Sequence, residues 1–166
     1  MTPRVLRGGS VLEDDWTLPG AGVARGRTIV PLARWRSERA ALLSACSAVG
    51  VLLPNTEDVD ALYPEIGDRP LIALEFPAFA DGRALSQAVV LRTRLKFTGE
   101  LRAVGDITRD LVFWLGRCGF DAIVPRQDQD LEACRVALTE LRVSYQAAAD
   151  GRTPAWIARR PPAATA

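Results

Sequence analysis

Four short apolar runs, Val51-Leu52-Leu53-Pro54, Leu71–Phe76, Glu100–Val104 and Ala122-Ile123-Val124, alternate with stretches of helical periodicity. That alternation restricts the fold more than any other feature. Parallel neighbours in a sheet need a long crossover, a helix supplies it, and the crossover is right-handed in nearly every case. The expected fold class is therefore α/β: a single domain with a mostly parallel sheet of four or five strands and flanking helices. Two arrangements satisfy the pattern. One is an open sheet; the other is half a barrel, closed by a second copy in a homodimer.

The remaining elements follow from spacing and end signals. Trp35, Leu42, Leu43 and Cys46 form one apolar helical face, and Asp58–Tyr63 reads as a short helix. Arg83–Phe97 is predicted as a helix with Leu85, Ala88, Val89 and Leu95 inward, Arg92, Arg94 and Lys96 at its negative end, and Gly99 in a left-handed terminal turn. Thr108 is placed to cap a helix running to Arg117 and closed by Gly119. Leu131, Cys134, Leu138, Leu141 and Tyr145 predict a last helix over Asp128–Gln146, with Arg142 on it away from the strand ends. Residues 1–33 read as an irregular or hairpin segment with weak strands near Ser10–Trp16 and Thr28–Leu32. Residues 34–150 are the α/β domain, and the Pro/Ala/Arg-rich residues 151–166 are a disordered tail. Gly20-Ala21-Gly22-Val23-Ala24-Arg25-Gly26 imitates a dinucleotide fingerprint. It fails in glycine spacing, in the Leu18-Pro19 before it and in the missing helix after it.

Composition excludes several kinds of chemistry. Cations and anions nearly balance, at a net charge of +1, so no nucleic-acid or membrane partner is expected. Histidine is absent, which removes Ser-His and Cys-His devices and the commonest metal ligand. Three dispersed cysteines, Cys46, Cys118 and Cys134, cannot complete a standard iron–sulfur ligand set, so neither metal nor cofactor is expected. Their odd number, with no signal peptide evident, places the protein in the reducing cytoplasm. Lys96 is the single lysine; the other twenty cations are arginines.

The stretch Ile72–Gly82, IALEFPAFADG, carries the chemistry. Ligands in such sheets gather beyond the C-terminal strand ends. Pro77 stops the ladder, Phe76 and Phe79 can wall a cavity, and Asp81-Gly82 makes the turn into the next helix, with Gly82 expected at positive φ. Arg83 then lies beside unpaired backbone N–H groups, a plausible anion site. Asn55, Gly105-Asp106 and Arg126 end neighbouring strands on the same rim. Each has a plainer structural reading: Asp81 as a helix cap, the phenylalanines as core, Arg83 as an ion-pair partner of Asp106 or Asp110, Asp106 as a strand terminator.

The motifs FPAFADGRALSQA, Leu91-Arg92, GELRAVGD and RCGFDA, all within residues 71–122, resemble a bacterial family of unknown function, and the likeness extends more weakly over Val30–Leu141. Its members are commonly labelled oxidoreductases involved in sulfite reduction, because their genes lie near those for sulfite reductase. The resemblance singles out Phe76, Pro77, Phe79, Asp81, Gly82, Arg83, Ser86, Arg92, Gly99, Glu100, Arg102, Gly105, Asp106, Asp110, Arg117, Cys118, Gly119 and Phe120. Leu111 stands where the family pattern has glutamine. The candidate ligand-binding set is Phe76, Phe79, Asp81, Gly82, Arg83, Ser86, Arg102, Asp106, Arg117 and Cys118. The resemblance implies a place in sulfite reduction and sulfate assimilation, and the lack of a phosphate fingerprint, histidine or cysteine cluster favours an accessory that binds a small oxyanion or docks on a sulfite reductase. Two alternatives are an oxidoreductase with a borrowed cofactor and a small phosphate-substrate enzyme using Asp81 or Asp106.

Overall fold

The computed structural model describes residues 3–18, 22, 24–141 and 143–159. A hairpin opens the chain, β1 (Arg4–Arg7) and β2 (Ser10–Glu13). The repeating units follow: β3 (Gly26–Pro31), α1 (Leu32–Ala45), β4 (Cys46–Leu53), α2 (Val59–Ile66), β5 (Leu71–Phe76), α3 (Arg83–Val89) with a π-helical turn over Val90–Arg94, β6 (Glu100–Gly105), α4 (Arg109–Cys118), β7 (Ala122–Val124) and α5 (Leu131–Ala137). A short α6 (Ala155–Ala158) comes last among the described residues. Residues 160–166 of the expected tail and Arg142 lie outside the described residues, as do parts of the glycine-rich stretch before β3.

All strands join one sheet in the order β2-β1-β7-β6-β5-β4-β3. From β3 to β7 the strands are parallel and lie in sequence order, so successive right-handed crossovers fall on the same face. Alternate residues along the strands confirm it. Val49, Val51, Leu53, Ile72, Leu74, Phe76, Leu101, Ala103 and Ile123 pack with Leu32, Trp35, Leu62, Ala84, Ala88, Leu91, Val112, Leu115 and Cys134 of the helices. On the opposite face Ile29, Leu71, Ala73 and Val104 form a second cluster that includes no helix residue among the described residues.

That second face is covered from within the chain. Trp16 is 2% exposed and packs on Ile29, Leu71, Ala73 and Val104, and Thr17 bridges to Thr28 on the outer edge of β3. In a flat sheet at the usual strand spacing of about 4.8 Å, β2 and the edge of β3 would stand roughly 30 Å apart. The four residues from Glu13 to Thr17 span at most about 14 Å. The sheet must therefore curl around Trp16, and of the two expected arrangements the open half-barrel is the one formed. An ion-pair network pins the strap. Arg102, fully buried on β6, donates from Nη1 to Asp14 Oδ2 at 2.7 Å and from Nε to Glu100 Oε1 at 2.9 Å. Arg7 of β1 contacts Asp15 and Glu100, while Arg27 of β3 pairs with Asp15 and lies 4.6 Å over the Trp16 ring.

Several boundaries differ from expectation. β4 begins at Cys46, so Cys46 is a strand residue and Leu43 is exposed. The Ala48 and Gly50 side of β4 gives no apolar strand signal, and a Cβ at Gly50 would come within 2.9 Å of Leu71 Cδ2. The helix after β5 ends at Arg94, and Lys96 just beyond it takes, at φ 57°, the left-handed turn expected of Gly99. Arg92 does more than complement a helix end: it donates to the carbonyls of Phe97, Gly99 and Gly119 and pairs with Asp121. Gly119 does close α4 at φ 96°. The last long helix is α5 alone, and Leu141 and Tyr145 are exposed. Arg117, 5% exposed, accounts for the break, because it draws Ser144 Oγ, Gln146 O and Asp150 onto one guanidinium.

Removing one member of a buried ion pair strands the other, at a cost of about 3–5 kcal/mol. Arg102→Ala should lose stability on that scale in denaturant titration, because Asp14, 7% exposed, exchanges its 2.7 Å bond to Arg102 for the longer 3.7 Å contact with Arg7. Arg36→Ala, which removes the more exposed pair with Glu65, should lose about 0–1 kcal/mol. Equal losses would mean that the network does not hold the strap.

Candidate functional site

The C-terminal strand ends of the half-barrel carry a laced turn. Phe76 closes β5 with its ring in the core, 6.0 Å from that of Phe120, so it is not a cavity wall. Pro77 cannot donate to the ladder, and the chain turns through Ala78–Asp81, with Asp81 N–H donating to Ala78 O. Asp106, just past β6, holds this turn at three points. Its backbone N–H donates to Phe76 O at 2.7 Å, its Oδ2 accepts from Phe79 N at 2.8 Å, and its Oδ1 accepts from Arg126 Nη1 at 2.9 Å. Arg126 also grips Asp128, at 2.9 and 2.8 Å, and the two carboxylates raise its pKa, Asp128 more than Asp106. Gly105 makes the lacing possible. It adopts φ 113°, and a Cβ there would sit 2.3 Å from Phe76 O.

Gly82 does not have the positive φ expected of it. Its φ is −83°, and a Cβ would meet only Leu85 Cδ1, at 3.6 Å. The side chain of Asp81 closes this turn instead, its Oδ1 accepting from Arg83 N at 3.3 Å. Asp81 also binds the Arg83 guanidinium twice, Nε to Oδ1 at 2.9 Å and Nη2 to Oδ2 at 2.6 Å. Arg83 pairs with neither Asp106 nor Asp110. Its hydrogen bonds, and secondarily the neighbouring Asn55 amide, hold the Asp81 carboxyl well below the usual range. The Arg83 side chain is 58% exposed, and Phe79 and Ser86 are exposed near it.

The candidate residues therefore separate into three places. Phe79, Asp81, Gly82, Arg83, Ser86 and Asp106 share the rim, with Phe76 beneath. Arg102 lies inside the half-barrel. Arg117 and Cys118 line a different hollow of about 780 Å³ between α3, α4, Leu141 and residues 143–149, walled by Phe113, Trp114 and Tyr145. Burial raises the Cys118 and Cys134 thiol pKa values, so neither is an activated thiolate. Thr108 stands at the α4 N-cap but makes no side-chain cap bond; Gln129 Oε1 accepts from Arg109 N there. Spacing gave no hint of Gln129, nor of Glu57, which with Glu75 faces a hollow of about 390 Å³ at the ends of β4 and β5. Among the described residues no group of three acidic, cysteine or histidine side chains could hold a metal ion, and no helix is long and apolar enough to cross a membrane.

Two measurements check this geometry. Gly105→Ala should cost at least about 1–3 kcal/mol of stability, whereas Gly82→Ala should cost a few tenths; a larger loss at Gly82 would contradict the turn described. Carboxyl NMR should place the Asp81 midpoint below the ordinary value of about 3.9. A depressed pKa means that this pairing supports the turn at neutral pH and is lost as pH falls through the lowered value. An ordinary midpoint would contradict the pair.

No curated protein and no solved structure matches the chain. A family described as bacterial protein of unknown function (DUF934) matches residues 50–156, from within β4 to α6, and so includes the whole laced rim. The match covers well over half of the sequence, and the chain belongs to the DUF934 family.

Proposed function

We propose that the protein is an accessory of sulfite reduction that holds a small oxyanion, or a carboxylate presented by a sulfite reductase, on the rim around Arg83. The observation that carries this reading is the state of Arg83: an exposed guanidinium whose hydrogen bonds go to a carboxylate two residues away. Such an exposed pair is weak, so a better-placed acceptor competes with it readily. A guanidinium offers planar paired donors that match sulfite, sulfate or a carboxylate. The sulfur context comes from the family resemblance.

The rim's own chemistry supports binding over catalysis. Asp81 stays ionised far below neutral pH, Asp106 is engaged on both oxygens, and histidine is absent. Asp81 is not poised to exchange a proton near pH 7, and Asp106 is occupied in holding the turn, which weighs against a phosphate-substrate enzyme built on them. The reading of an oxidoreductase with a borrowed cofactor draws on one feature, the 780 Å³ hollow with its aromatic walls.

Calorimetric titration with sulfite and with sulfate, each with and without purified sulfite reductase, tests the proposal. Arg83→Ala should remain folded by circular dichroism and lose about 1.5–3 kcal/mol of binding, the range for a charged hydrogen bond. Arg135→Ala, on α5 and paired with Glu132, should bind as the wild type does. Unchanged affinity in folded Arg83→Ala would remove Arg83 from the site.

A further inference from the structure

The hollow between α3, α4 and residues 143–149 shares no residue with the rim around Arg83. At about 780 Å³ it falls in the size range of small-molecule pockets, roughly 300–1,000 Å³. Its wall is apolar and wet: Trp114, Leu141, Val143 and Tyr145 are each more than half exposed. Phe113 sets the Trp114 ring, meeting it edge-on with centroids 5.2 Å apart at 77°. Aromatic rings gathered around one concavity offer their area to a flat apolar body, whose burial releases water from both surfaces.

Arg117 lines the same hollow at 5% exposure. Its Nη1 donates to Ser144 Oγ at 2.5 Å and to Asp150 Oδ2 at 3.2 Å, and its Nη2 donates to Gln146 O. Those bonds tie the chain together and leave Nε without an acceptor among the described residues. The charge is also unbalanced. Asp150 is shared between Arg117 at 3.2 Å and Arg152 at 3.3 Å, so two guanidinium groups face one carboxylate, and no second acid pairs with either among the described residues. A single negative charge completes the cluster, and a planar carboxylate matches a guanidinium edge.

We infer that this hollow binds an aromatic carboxylate, its apolar body against Trp114 and Tyr145 and its carboxylate on Arg117 Nε. This ligand is independent of the one proposed for the rim.

Calorimetric titration of the full chain with sodium 2-naphthoate, and with uncharged 2-naphthylmethanol, tests the site. The acid should bind about tenfold or more tighter than the alcohol, as for one charged hydrogen bond. Trp114→Ser, at a half-exposed position, should fold normally and bind both compounds about fivefold or more weakly. Asp150→Asn keeps an acceptor for Arg117 and removes the competing charge, so the acid should bind about threefold or more tightly. Lost packing alone would move affinity the other way. If Asp150→Asn does not fold, Arg152→Ala replaces it and should weaken binding of the acid but not of the alcohol. Arg83→Ala on the rim and Leu43→Ala on α1 should bind as the wild type does. Absence of 2-naphthoate binding, equal affinity for acid and alcohol, or unchanged binding in Trp114→Ser would overturn the inference. Tighter binding of riboflavin, an uncharged ring system, would also overturn it and favour a borrowed cofactor in this hollow.

Discussion

A guanidinium buried inside a half-barrel, bonded to one carboxylate on its own strand and another on a crossing segment, is the contact on which this architecture depends. Helices arriving on a single face leave the other face of five parallel strands bare, and bare apolar strands do not persist in water. Trp16 supplies the apolar cover and Arg102 with Asp14 supplies the attachment. Neither suffices alone. Trp16 has too little area to seal the sheet unless the sheet curls, and the curl needs the chain to cross at Asp14–Thr17. Burying charge is costly, so the pair adds little net stability beyond what apolar packing of the same shape supplies. What it provides is a defined place for the crossing.

Curvature has its effect at the strand ends. The loops after β5, β6 and β7 meet, and their charges satisfy one another: Asp81 with Arg83, Asp106 with Arg126, Arg126 with Asp128. The rim is consequently not a positively charged bowl waiting for an anion. It is a set of closed pairs of unequal strength. Asp106 has three neighbours to hold and moves at the expense of the turn itself, whereas Arg83 is tied to Asp81, two residues before it. Selectivity in such a site comes from which pair yields first.

The sequence made the parallel sheet legible because buried strands and amphipathic helices differ in period, and β5 and β7 could be read to the residue. Short strands whose inner side is Ala or Gly escape that test, which is why β4 read as helix at its start. Gly82 was misjudged for a different reason. An Asp-Gly pair signals a tight turn but does not say whether the glycine backbone or the aspartate side chain closes it. Leu131–Tyr145 keeps a helical spacing past Ala137, yet Arg117, distant in sequence, bonds the later residues in another conformation. Arg102 and Arg117 were singled out with the rim because the resemblance marks positions, and positions do not reveal whether an arginine binds a ligand or ties the chain together. On the rim itself, strand ends and turn residues pointed to Asp81, Arg83, Asp106 and Arg126, whereas their pairing is a three-dimensional fact.

The pairing of Leu6 with Ile123, at the junction of β1 and β7, also sets the order in which the sheet can be built. Each parallel unit from β3 onward docks on the one before it, a separation of a few tens of residues. β1 must wait for a strand more than a hundred residues away, and closing so long a loop carries the largest entropic penalty in the molecule. A chain halted before β7 therefore has its helical face assembled while β1 and β2 have no strand to join. During synthesis the edges of β1 and β6 stay unpaired until β7 is made, so the seam on either side of that short strand is the last part of the sheet to close.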